Sequence, residues 1–168
     1  MSAQSLWKRL GDLTVGNRLK MPSGVVVDTN RLVTITGAAA LTADLHSEKP
    51  IVMSAAAGQA LTLPASTGSG AHFELIVGTT ITSNTSTIKV ANATDVMAGY
   101  AIQSQDAGAT VQMFETAASS DTITMDGSTT GGIIGDRIEL VDIKPGFWAV
   151  RMTAAGTGAE ATPFSATV

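Results

Sequence analysis

Short apolar alternations broken by turn chemistry are what most limits the folds open to this chain. In residues 60–78, reading ALTLPASTGSGAHFELIVG, Leu61 and Leu63 share one face of a first strand. Pro64 ends it, and Ser66, Thr67, Gly68, Ser69 and Gly70 supply a loop able to take positive φ. Phe73, Leu75 and Val77 then line one face of a second strand, with His72, Glu74 and Ile76 on the other. The stretch predicts a β-hairpin or a sheet corner.

The rest of the chain repeats that grammar. Strands are expected at 25–27, 32–35, 51–53, 61–63, 73–77, 79–81, 87–90, 100–103, 111–114, 123–125, 137–141 and 147–152, separated by Gly-, Asp- and Ser-rich turns. Spacings of roughly 8 to 12 residues predict an all-β fold, an antiparallel β-sandwich or jelly-roll-like barrel. Residues 90–99 predict at most one helical turn, capped by Asn92 or Thr94 and stopped by Gly99. No exact internal repeat marks a solenoid or propeller. The tail from residue 154 is small and polar apart from Phe164 and Val168, so it either frays or docks through Phe164.

A length of 168 residues suits one domain with a core plus an arm, divided here as residues 1–20 and 21–168. Charged residues make up 14% against 44% hydrophobic, and Thr and Ala are abundant. Much of the surface is therefore hydroxyl and backbone, unlike that of a typical cytosolic enzyme. The absence of cysteine removes disulfides, thiolate catalysis and the strong zinc patterns together. A net charge of −4 argues against general nucleic-acid binding, which needs a basic stripe. No apolar run approaches the ~20 residues of a membrane span, and residues 6–10 are too short and too charged for a signal-peptide core.

The charge is unevenly placed. Lys8, Arg9, Arg18 and Lys20 outnumber Asp12 in the first 20 residues, so a basic arm precedes an acidic body. Leu6, Leu10 and Leu13 recur at helical spacing within residues 1–17, with Trp7 beside them. A helix this short needs its own domain or a partner to be ordered, and a Trp flanked by cations makes a good interface anchor. Leu6, Trp7, Lys8, Arg9, Leu10, Leu13, Arg18 and Lys20 are the candidate partner-binding residues.

Candidate chemistry elsewhere has plainer readings. The TGSGA loop lacks the Lys-Ser/Thr pair of a phosphate-binding loop and leads into a strand, so it reads as a turn, as does DGSTTGG. Asp44, His46 and Glu48 alternate as metal ligands might, yet Glu48-Lys49-Pro50 has the chemistry of a turn and a solvated strand end accounts for the set. Asp121, Asp126, Asp136, Glu139 and Asp142 match no calcium loop, and turn chemistry explains most of them. Trp148, Val150 and Met152 alternate as core residues do. Neither histidine has a triad motif around it, so an enzyme is not expected, and no cofactor or metal is implied.

The strings LTLPASTGSGAHFELIVGTTITSNTSTIKVANATDVMAGY, SSDTITMDGSTTGGIIGDRIELVDI, PGFWAVRM and ATPFSATV resemble small virion structural proteins of tailed bacteriophages, of the capsid decoration or cement kind. The resemblance covers about residues 41–168 and supplies no catalytic or ligand-binding residue. It implies a protein made in the host bacterial cytoplasm that binds the outer surface of an assembled head, with the major capsid protein as partner and self-association as a homotrimer. The alternative is a tail-fibre, baseplate or receptor-binding module.

Overall fold

A computed structural model describes residues 32–106 and 110–168. Its strands are β1 (Val33–Ile35), β2 (Ala39–Ala40), β3 (Pro50–Met53), β4 (Ala60–Thr62), β5 (His72–Val77) and β6 (Ser86–Lys89), then β7 (Val96–Ser104), β8 (Val111–Glu115), β9 (Thr122–Met125), β10 (Arg137–Lys144), β11 (Phe147–Ala155) and β12 (Phe164–Ser165). One short helix, α1 (Ala43–His46), lies between β2 and β3. A seven-stranded sheet has the order β1-β3-β5-β10-β11-β7-β8, and a five-stranded sheet the order β12-β9-β6-β4-β2. The two pack on a shared core, so the fold is an all-β sandwich.

The sheets are mixed, where the strand spacing predicts antiparallel ones. From β1 to β7 each successive strand lies in the opposite sheet, so β1, β3 and β5 run parallel, as do β2, β4 and β6. A turn that closes a hairpin and one that rounds a sandwich edge use the same residues, and here the first six strands round the edge. Residues 60–78 are accordingly a corner, with β4 in one sheet and β5 in the other. The winding is solenoid-like, but the connections between strands differ in length, which leaves no repeat in the sequence. The β10–β11 hairpin then inserts between β5 and β7, antiparallel to β5 and parallel to β7.

Alternation places the core as the sequence predicts. Leu61, Leu63, Phe73, Leu75, Val77, Trp148, Val150 and Met152 are all buried. Across the five-stranded sheet Leu61, Ile88, Ile123 and Phe164 stand in register on the inner face. The Trp148 and Phe73 rings meet with centroids 5.7 Å apart at a tilt of 49°. Each such side chain contributes on the order of 1.5–3 kcal/mol by leaving water. Phe164 docks the tail, which settles the choice between docking and fraying.

Three local expectations change. Residues 79–81 form no strand, because the chain there crosses between sheets: Thr82 N–H donates to Ala56 O and Ile81 turns its side chain inward. Residues 90–95 form no helical turn, because the Asn92 side chain accepts the N–H groups of Thr94 and Asp95 and the chain enters β7 directly. Gly99 lies within β7 rather than at its edge. A Cβ there would come 1.8 Å from Val150 O, so glycine lets β7 and β11 approach. The strand expected at 25–27 lies outside the described residues, as does the boundary expected after residue 20.

Candidate functional site

The loop between β4 and β5 is an anion cradle, and the anion belongs to the chain itself. Asp142, near the end of β10, is 2% exposed. Its Oδ1 accepts the Gly68 N–H at 2.8 Å and the Ser66 hydroxyl at 2.8 Å. Its Oδ2 accepts the Ser69 N–H at 2.9 Å and the Ser69 hydroxyl at 2.7 Å. Thr67 adds its N–H, within reach of both oxygens at 3.1 and 3.0 Å, and its hydroxyl at 3.2 Å. Successive N–H groups converge in this way only if the backbone folds into a nest, which Gly68 permits with φ at 78°. Burial pushes the Asp142 pKa up, but the donors of Ser69, Thr67 and Gly68 outweigh it and hold the carboxyl far below the ordinary range.

Ser66 extends this cradle into a knot. Its N–H donates to Asp95 Oδ2 at 2.8 Å, and its hydroxyl accepts the Phe147 N–H at 3.0 Å while lying 2.7 Å from Lys144 O. Asp95 is buried just before β7 and also accepts from Asn92 Nδ2. One serine thus ties together the loop after β4, the approach to β7, and the β10–β11 turn.

The other acids near the core repeat the device. Asp136 precedes β10 and accepts the N–H groups of Gly132 and Ile133 on Oδ2 and of Ala155 on Oδ1. Here burial wins over the three donors, beside Met152 and Ala154, and raises the pKa. Asp121 accepts from the Thr167 and Val168 N–H groups and from the Thr122 hydroxyl, and pins the tail. Burial opposes its ionisation, but these bonds prevail and lower its pKa. Asp126 closes its own turn on Ser128, Thr129 and Thr130, and is lowered likewise against burial. Glu139 stands apart, half-buried on the outer face, with Arg151 at 3.9 Å.

Asp136, just before β10, continues the inward alternation of Ile138, Leu140 and Asp142 on it, with apolar residues in the middle and a carboxylate at each rim. That alternation was the available signal for the cradle, because it aims Asp142 inward at the end of a strand. The partner loop was not identifiable, since residues 66–69 and Asp142 meet only through the sheet order.

Elsewhere the candidates separate. Asp44 and His46 lie on α1 and Glu48 follows in a left-handed turn, so the three share no strand face. Among the described residues no group of three or more His, Asp or Glu side chains is placed to hold a metal ion. Leu6, Trp7, Lys8, Arg9, Leu10, Leu13, Arg18 and Lys20 lie outside the described residues.

Fold and cradle together define a β-sandwich whose loops are stapled by buried carboxylates. Comparison with protein-family models, with curated proteins and with solved structures gives no match.

Proposed function

We propose that this chain is a virion structural protein of a tailed bacteriophage that decorates the assembled head and stabilises it without covalent chemistry. The observation that carries the reading is the use made of the buried and half-buried acids. Asp121, Asp126, Asp136 and Asp142 all turn their oxygens to loop N–H groups, which gives them structural work and leaves recognition to surfaces. A stapled, cysteine-free sandwich with little ionic surface suits a protein that adds stiffness to a lattice. Binding the mature lattice and not the free subunit would stabilise that lattice by linkage. The virion-protein resemblance of residues 41–168 points the same way. The basic arm, with Leu6, Trp7, Leu10 and Leu13 as apolar anchors and Lys8, Arg9, Arg18 and Lys20 facing acid, is the proposed contact with the major capsid protein.

The test is to add purified protein to heads lacking it, then measure bound copies and the temperature at which the heads release DNA. Saturation at a copy number set by the capsid lattice, with a rise in that temperature, is expected. Removal of residues 1–20 should abolish binding. A handful of copies per particle would move the protein to the tail, and undiminished binding without the arm would remove the arm's role.

A further inference from the structure

The outer face of the seven-stranded sheet carries an apolar patch at its β7–β8 margin. Val111 and Met113 on β8 are 64% and 60% exposed, and Tyr100 on β7 is 36% exposed. Register places Met113 beside Ile102 and Val111 beside Ser104, all outward. Isolated surface apolar residues are ordinary, but a contiguous group with an aromatic and a methionine at its centre has the make-up of an interface.

The charges around the patch say what fits it. Glu115, Tyr100 and Arg151 form one row across β8, β7 and β11, in direct register. Glu115 therefore lies one strand, about 4.8 Å, to one side of Tyr100, and Arg151 the same distance to the other. Consider two copies face to face, related by a two-fold axis running along β7. The rotation exchanges left and right, so Glu115 of each copy meets Arg151 of the other. By the same operation Tyr100 meets Tyr100, Ile102 meets Ile102, and Met113 meets Thr153. Arg151 is available for this: its side chain is 60% exposed, and its contact with Glu139 is long at 3.9 Å.

We propose that this margin is a self-association surface, occupied by the same face of a second copy, with Tyr100, Ile102 and Met113 at its centre and two crossed Glu115–Arg151 pairs at its rim. The contact is isologous, so it closes at two copies. It stands independently of the capsid reading and differs from the three-fold association that the virion-protein resemblance implies.

Sedimentation equilibrium of the full chain over a range of concentrations, in low and high salt, tests it. The expected result is a reversible dimer that weakens with salt. Glu115→Arg or Arg151→Glu alone should weaken dimerisation by about tenfold or more, because each puts like charges face to face twice. The double variant should restore it to within about threefold of the original. Met113→Lys should give monomers, with an unchanged thermal transition showing that the sandwich is intact. A monomer at all concentrations, a three-copy mass, single reversals without effect, or a double variant that stays weak would each overturn the proposal.

Discussion

Ser69 donates twice to Asp142 Oδ2, through its backbone N–H at 2.9 Å and its hydroxyl at 2.7 Å. The two residues stand at opposite ends of the cradle in sequence, one in the loop after β4 and one on β10. Their contact joins the parallel-wound first half of the chain to the hairpin inserted later. It also shows why the loop is rich in Ser and Gly: hydroxyls and unhindered N–H groups are what a buried carboxylate requires.

Replacing Asp142 with Asn keeps the size and removes the charge and one acceptor. The Ser69 N–H and hydroxyl, both part-buried, then face an amide NH2 in place of an acceptor, at about 1–3 kcal/mol each. Asp142→Asn is therefore expected to cost roughly 3 kcal/mol or more in urea unfolding, with Ser69→Ala costing about 1 kcal/mol. An Asp142→Asn protein as stable as the original would show that the cradle is not a staple.

The acids predict the direction of pH dependence. Asp121, Asp126 and Asp142 are lowered in the folded protein, so each contributes stability that is present above about pH 4 and is lost as pH falls through its folded value. Asp136 is raised, so its protonation favours the folded state as pH falls toward its folded value. Unfolding free energy measured from pH 7 to pH 2 is expected to fall overall below pH 4. The fall should be shallower in Asp142→Asn and steeper in a variant lacking the Asp136 carboxylate.

Two glycines separate space from conformation. A Cβ on Gly99 would lie 1.8 Å from Val150 O, in the middle of the β7–β11 pairing, whereas one on Gly37 meets nothing within 4 Å. Gly99→Ala is expected to force the strands apart and lower the melting temperature by about 10 °C or more, as a loss of several kcal/mol does in a domain of this size. Gly37→Ala should leave it within about 2 °C, on the scale of an ordinary surface substitution.

Phe164 tests whether the tail is part of the sandwich. It is buried and pairs in register with Ile123, while Asp121 holds the N–H groups of Thr167 and Val168. Phe164→Ala is expected to cost about 3–5 kcal/mol. Hydrogen exchange in residues 164–168 should rise with it, since the last strand then loses its anchor.

The division between sequence and tertiary structure follows from the range of the forces. Period-two alternation is local, and it sufficed to place β3, β4, β5, β9, β10 and β11 and to assign Phe73, Leu75, Trp148 and Met152 to the core. Two-residue strands such as β2 and β12 are too short to show a period, and they exist because a neighbouring strand supplies their hydrogen bonds. Whether a Ser-Gly turn closes a hairpin or rounds an edge is decided by where its flanking strands find partners, so the parallel winding of β1 to β6 was not legible.

The same reason governs the cradle and the β7–β8 margin. The sequence by itself determined that residues 66–70 form a hydroxyl-rich turn, whereas the expected strand stopped at residue 141 and only the structure placed Asp142 inward at the end of β10. Only the sheet order, which sets β10 beside β5 and β8 beside β7, decided that the turn holds that carboxylate. It also set Glu115, Tyr100 and Arg151 in one row. Side-chain chemistry is written residue by residue, whereas proximity across a sheet is a property of the packed whole.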